Sequence, residues 1–427
     1  MKDRQTMRKI PESLGLKGER LAAFYQPILA MDTRTIIGYE VLGRACEGER
    51  VRSLGKFFGD VSISVEDHIA VDRILREQAM RKLGAENIES LLFINLKPNW
   101  IHRYGQSGEL FTLQLIDKYG IDPRRIVIEI TEESFNGPMD ELRSIVDLYR
   151  SRGCLIAIDD VGSGFSSTDR IAHIQPNILK IDIHMIKKSA THNGYLGALR
   201  SFSALAEQIG ASLLAEGVET RQDLVRAIEA GARYVQGFFF SKAEPEFQQA
   251  DRFAGALEAE LAEYVQQRLR SETTWQKEAA QLAALIDKGC ICRQESELGR
   301  AEEFNGWITG LLEQLPLGCV RIYLCREDGI QLSANYCRVE AGEWERQEEY
   351  YGANWSWRPY FIPTIAQLSE MQRTLVSRAY VDLDTCEWIR TISILAGPGL
   401  ILFADMKDYE QQTDREREDA ACRTTTG

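Results

Sequence analysis

The sequence predicts an α/β fold: a (β/α)8-type barrel in the first 245 residues or so, with a doubly wound sheet as the alternative, then a separate β-rich domain. Three observations point there. The length, 427 residues, leaves room for two or three domains at roughly 150 residues each. From about Phe24 to Ser241, short β-rich runs alternate with stretches of helical apolar spacing, the mark of parallel βα units. From Phe247 the composition turns Ala/Glu/Gln-rich, and later becomes aromatic and β-rich.

The β-rich runs of the first part are Phe24–Leu29, Ile36–Leu42, Leu91–Leu96, Ile126–Thr131, Leu155–Val161, Ile178–Ile183, Ser212–Val218 and Tyr234–Phe240. About eight strands in some 220 residues suits a barrel. The first two are joined by Met31–Thr35, too short for a helix, so an antiparallel hairpin is expected there. Phe253, Leu257, Leu261, Val265 and Leu269, then Ala279, Leu282 and Ile286, form the stripe of one long amphipathic helix over 247–290. Such a helix serves as a connector or a dimer seam. Beyond it lie Val320–Leu324, Gln331–Asn335, Tyr380–Asp382, Ile389–Ile394 and Leu400–Ala404. The tail from 411 is polar.

Charge and composition exclude several classes. Lys plus Arg number 51 and Asp plus Glu 64, a net charge of −13. Such a surface repels nucleic acid polymers and anionic membranes. The longest apolar run, Ile392–Ala404, is short and broken by Gly397-Pro398-Gly399, so it reads as a hairpin and not as a membrane span. No apolar leader follows the N-terminus, and the nine cysteines are scattered. They read as reduced thiols of a cytoplasmic protein. Cys290 and Cys292 lack the further ligands a zinc site needs.

The chemistry gathers at strand ends. The apolar runs close on Glu40, Asn95, Glu129, the pair Asp159-Asp160, Lys180, Glu216 and Gln236. Any one of these is commonly a surface residue, and Asp159-Asp160 before Gly162 could simply close a turn. Repeated at nearly every strand, they predict one polar mouth at the C-terminal end of a barrel, where barrel enzymes hold their active sites. Five carboxylates against one amine need cations. Oxygen-only ligands favour Mg²⁺ or Mn²⁺. Adjacent aspartates can serve two ions about 3.5–4 Å apart, the arrangement used for phosphate-ester hydrolysis. The five histidines lie at no strand end and are read as structural.

These residues resemble the EAL family of cyclic-di-GMP phosphodiesterases. The resemblance is carried by Glu40-Val-Leu-Gly-Arg44, Asn95, Glu129-Ile-Thr-Glu132, Asp159-Asp160-Val-Gly-Ser-Gly164, Lys180-Ile-Asp182, Glu216-Gly-Val-Glu219 and Gln236-Gly-Phe238. It implies a modified TIM (β/α)8 barrel with one antiparallel strand over 21–246, preceded by an extension at 1–20. It implies that Glu40, Asn95, Glu129 and Asp159 hold one metal, and that Asp159, Asp160 and Glu216 hold a second. Lys180 would position or deprotonate water, working with Glu40 and Glu216 as the catalytic group. Arg44 would contact a substrate phosphate, with Gln236 ordering substrate or water and Glu219 supporting it. Glu132 would anchor the loop after Asp160. The implied substrate is cyclic di-GMP, the product linear pGpG, the cofactors Mg²⁺ or Mn²⁺ with Ca²⁺ inhibitory, and the assembly a homodimer.

Four positions depart from the family pattern: Val41, conservatively, and Val161, Thr168 and Asn177. They leave every ligand in place but favour low or regulated activity, so a cyclic-di-GMP receptor is the alternative function. The rest of the chain resembles the YkuI type of architecture, with a PAS- or Cache-like sensory domain over 291–410. That resemblance places a small-molecule pocket at Trp357, Arg358, Tyr380 and Asp405. The alternative is that these side chains are core and interface.

Overall fold

The computed structural model describes residues 19–86, 88–97, 100, 110–131, 138–162, 168–288, 300–339 and 342–409. Glu132, His102, Cys290, Cys292, the loop at 163–167, most of the extension before residue 19 and the tail lie outside the described residues. The chain falls into two compact units, Met1–Ala262 and Glu263–Gly427.

In the first unit the eight apolar runs become the staves of a closed barrel. They are β1 (Arg20–Ala30), β2 (Ile36–Glu47), β4 (Leu91–Leu96), β5 (Ile126–Thr131), β6 (Leu155–Val161), β7 (Ile178–Ile181), β8 (Ser212–Ala215) and β9 (Tyr234–Val235). Neighbours from β2 through β9 are parallel. β1 closes the ring and is antiparallel to both β2 and β9. A short, fully exposed β3 (Arg50–Ser53) pairs with the end of β2 as a hairpin. No apolar periodicity announces β3.

Period-two alternation divides the barrel's side chains between two cores. Outward-facing Ile94, Ile128, Ile156, Leu179 and Leu213 pack with Leu142, Val146, Leu199 and Leu224 of the surrounding helices. Inward-facing Ile28, Phe93, Val127, Ala157, Ile178 and Leu214 form a separate plug. Each large aliphatic side chain so enclosed contributes about 1.5–3 kcal/mol. The plug fixes what comes next, because the residue two places on must point into the same axis.

The 35-residue helix Ala254–Lys288 begins in the first unit and ends in the second. Leu257 packs in the barrel's outer core, and Trp275, Ala279, Leu282 and Ile286 in the core of the second unit. Val265 and Leu269 between them are 48% and 62% exposed, so the middle of the apolar stripe is uncovered.

The second unit is a seven-stranded antiparallel sheet built from β10 (Cys319–Arg326), β11 (Asn335–Arg338), β12 (Trp344–Gln347), β13 (Thr374–Val376), β14 (Tyr380–Val381), β15 (Trp388–Gly397) and β16 (Leu400–Lys407). The order is β12-β11-β10-β16-β15-β13, with β14 also on β15. β15 and β16 are the hairpin expected around Gly397-Pro398-Gly399. The strand expected at Gln331–Asn335 begins only at Asn335. The Gln331 side chain instead donates to the Ser333 carbonyl and the Asn335 Oδ1, which holds this stretch as a loop. No helix among the described residues is long and apolar enough to cross a membrane.

Candidate active site at the barrel mouth

Stepping two residues along each strand from the apolar plug gives the site. Phe93 leads to Asn95, Val127 to Glu129, Ala157 to Asp159, Ile178 to Lys180 and Leu214 to Glu216. Gly38 leads to Glu40, and Tyr234 to Gln236. On antiparallel β1 the step runs backwards, from Ile28 to Gln26, which lies directly opposite Glu40 in the β1–β2 ladder. One polar ring therefore sits on one apolar layer. Sequence reasoning found seven of its strands and missed Gln26, because a polar residue in the middle of a run looks unlike one at a run's end.

Lys180 is fully buried at the centre. Its ammonium lies 2.5 Å from Glu129 Oε1 and 3.1 Å from Asp159 Oδ1, and also pairs with Glu216 Oε1. Burial disfavours its charge, but Asp159, Glu129, Glu216 and Glu40 outweigh that and hold the ammonium well above the usual lysine range. Burial pushes the Glu129 carboxyl well above the carboxylate range, reinforced by Glu40 and Asp159 and opposed by Lys180. Glu216 is pushed the same way, by burial and then by Asp159. The ring is thus an assembly of acids too crowded for one amine.

Asn95 donates from Nδ2 to Glu129 Oε2 at 3.1 Å and to Glu40 Oε1 at 3.3 Å. Gln236 donates to Glu40 Oε2 at 2.6 Å, and its own buried Oε1 has no partner. Arg44 is half-buried, donates to the Gly43 carbonyl and sits 5.9 Å above the Phe24 ring. Glu219 pairs with Lys187 at 2.9 Å on the rim.

The double aspartate needs a backbone device. Neighbours on a regular strand point to opposite faces. Here Asp160 takes φ +58°, a conformation side chains rarely adopt, and the β6–β7 register breaks between Ile158 and Val161. One carboxylate oxygen from each of Asp159, Asp160 and Glu216 then lies within 4.8 Å of the others. The loops after β8 and β9 are likewise fixed. Val218 N–H donates to the Gln236 carbonyl and Phe239 N–H to the Val218 carbonyl. A Cβ on Gly237 would lie 2.0 Å from the Val218 oxygen, so only glycine fits. A cavity of about 190 Å³ opens above the ring, lined by Gln26, Glu40, Glu216, Glu219, Gln236 and the exposed Phe238.

The donor set fits hard divalent cations: carboxylate and amide oxygens, no sulfur, no imidazole, three acids converging on a point and an orphaned buried amide oxygen. The histidines among the described residues stay out of the ring; buried His68, for example, bonds the Phe57 carbonyl. Asn177 lies at the opposite end of the barrel, its Oδ1 accepting from Ile156 N–H at 2.9 Å.

Residues 7–243 match the EAL domain, and this chain belongs to that family. Residues 247–416 match an EAL-domain associated signalling protein domain. The chain is 35% identical over 387 residues to YkuI, an EAL-domain containing protein of Bacillus subtilis, covering 90% of this chain and 93% of that one. It is 31% identical over 250 residues to the cyclic di-GMP phosphodiesterase RocR of Pseudomonas aeruginosa, covering 57% and 62%. The crystal structure of Bacillus subtilis YkuI with substrate c-di-GMP and calcium superposes with a TM-score of 0.82 at 32% identity, covering 94% of this chain and all of that one.

In the second unit, Tyr380 and Asp405 are linked through Thr391: Tyr380 OH lies 2.7 Å from Thr391 Oγ1, which donates to Asp405 Oδ1 at 2.6 Å. The Arg358 guanidinium stacks on Trp357 at 4.5 Å, and Trp357 is 67% exposed. The two pairs named from the sequence are thus brought together within themselves.

Proposed function

We propose that the chain is a cyclic-di-GMP phosphodiesterase that opens its substrate to linear pGpG with two divalent cations, Mg²⁺ or Mn²⁺, and is inhibited by Ca²⁺. The observation that carries this is the ring of Glu40, Asn95, Glu129, Asp159, Asp160 and Glu216 around Lys180. Glu40, Asn95, Glu129 and Asp159 would hold one ion, and Asp159, Asp160 and Glu216 the other. Bound ions would supply Lewis acidity at the phosphodiester and a water acidic enough to attack near neutral pH.

The chain's own residues do the rest. Arg44 lacks an ion pair among the described residues and is free to contact a phosphate oxygen. Gln236 and Asn95 donate to the Glu40 carboxylate and fix it, while Gln26 beside it donates to the Ser241 carbonyl. Lys180, held as an ammonium by its acids, orients water as a donor; cations at the ligands would relieve that field and bring it nearer to accepting a proton. Phe238 and Glu219 border the substrate's entrance.

The domain layout that goes with this reading is an extension at 1–20, the catalytic barrel at 21–246, a linking segment at 247–290 whose helix begins at Ala254 and not at Phe247 as expected, a PAS/Cache-like sensory domain at 291–410 and a polar tail. The uncovered Val265 and Leu269 are the place for a homodimer seam. The chain would act in the cytoplasm. Purified protein mixed with cyclic di-GMP and Mg²⁺ or Mn²⁺ should yield pGpG. Tight binding with no turnover in either metal would replace the enzyme by the receptor reading, which the departures at Val161 and Thr168 favour.

A further inference from the structure

The helix Val65–Ala85 carries one residue out of keeping with its surroundings. Its buried stripe holds Val71, Leu75, Ala79, Met80 and Leu83, and in their midst Arg76, which is 6% exposed. The guanidinium spreads over three acceptors. Nη2 donates to Asp72 Oδ2 at 2.6 Å and to the Asn95 carbonyl at 3.1 Å, and Nη1 donates to Thr112 Oγ1 at 2.6 Å. Nε is buried with no partner among the described residues. Immobilising an arginine costs side-chain entropy. A buried ion pair gains little or nothing over well-packed apolar residues of the same volume. The stripe would be served at least as well by leucine or methionine, so the fold alone does not call for a guanidinium here.

The third acceptor ties Arg76 to the acid ring. β2 and β4 pair only as far as Glu40 and Phe93, while β4 and β5 stay paired to Leu96 and Ile130. Past Phe93, β4 has a strand neighbour on one side only, and Asn95 lies in that stretch. Arg76 gives its main chain a donor there. The Asn95 side chain meanwhile has Nδ2 on Glu129 and Glu40, which leaves Oδ1 as the atom for a cation. A neutral amide oxygen attracts a cation less than a carboxylate does, so its value as a ligand depends on being held at the right point.

We propose that Arg76 is a positioning residue for the first of the two cations: it pins the Asn95 main chain and so keeps the Asn95 side-chain oxygen on the ion. This rests on the two-ion reading of the ring and deepens it, because it makes the ions unequal. The second, at Asp159, Asp160 and Glu216, takes nothing from Asn95.

The test is a manganese titration of the full chain, with free Mn²⁺ followed by its electron paramagnetic resonance and melting curves recorded alongside. The unaltered chain should take up two equivalents. Arg76→Met keeps the bulk and loses every donor; it should weaken one equivalent about tenfold to a hundredfold and leave the other within about twofold. Arg76→Lys keeps a charge but cannot serve three acceptors at once, so the same equivalent should weaken by a smaller factor; this milder change reads the effect even where Arg76→Met does not fold. Thr112→Val strips the other arm of the fork and spares the Asn95 bond, so both equivalents should hold. Unchanged manganese binding in the Arg76 variants overturns the proposal. So does a weakening of both equivalents together, or an equal weakening in Thr112→Val, since Arg76 would then only support the fold. An unaltered chain that takes up no Mn²⁺ sinks the two-ion reading itself, and the proposal with it.

Discussion

In each unit one cation meets three carboxylates at once, and the two arrangements behave oppositely. At the barrel mouth, Lys180 reaches three acids from a single nitrogen, and Glu40 and Asp160 add two more. In the second unit, the planar Arg321 distributes its donors over Asp382, Asp384 and Asp405. Thr385 and Thr391 bind oxygens of Asp382 and Asp405, and Asp384 is well exposed. A point charge leaves acid over, whereas a fork uses it up. Only at the mouth do acid oxygens converge closely enough for an ion, among the described residues. An excess of acid alone is therefore a poor sign of a metal site; convergence is the better one.

The largest expected effect breaks the mouth. Asp159→Asn removes a ligand shared by both ions and should lower pGpG formation at least about a thousandfold, on the order of 4 kcal/mol of barrier. A loss under tenfold in a steady-state assay would contradict the two-ion reading. Next, Lys180→Met leaves buried acids uncompensated and should destabilise the barrel by about 3–5 kcal/mol. Mg²⁺ should restore part of this if cations occupy the ring, which denaturant titrations with and without metal would show.

The same change at the fork should be local. Arg321→Ala should cost the second unit about 3 kcal/mol and leave the affinity for cyclic di-GMP unchanged, measured by calorimetry. The pH dependence sharpens the contrast. Burial opposes ionisation of Asp382, but its bonds to Arg321 win and lower its pKa below the ordinary value of 3.8. A lowered pKa means the contribution is complete at neutral pH and fades as pH falls below about 4. Asp382→Asn should flatten that acid limb in pH-dependent melts. The smallest effect is expected from Asn177→Asp. Either side chain accepts the Ile156 N–H, far from the mouth, so stability should move by less than about 0.5 kcal/mol and turnover not at all.

Much of this was legible in the sequence for a reason particular to barrels. β4, β5 and β6 are buried on both sides and their apolar runs are bounded by polar residues in the sequence, so Leu91–Leu96, Ile126–Thr131 and Leu155–Val161 are read to the residue. β8 and β9 end earlier than their apolar runs, because Gly217 at φ +66° and the crowded Gly237 turn the backbone while the residues remain apolar. Gln26 was hidden by the reversed direction of β1, and the shared outlook of Asp159 and Asp160 by a backbone angle that composition does not encode. In the second unit, β12 and β13 are short and only half-covered, and their weak patterns pass for loop.

The reversed stave also decides where the polypeptide comes in. Arg20 pairs with Cys46, well past Glu40, so β1 starts on the rim that carries the acid ring and descends toward the apolar plug. A fluorophore attached at Glu19 would therefore report on what reaches that rim.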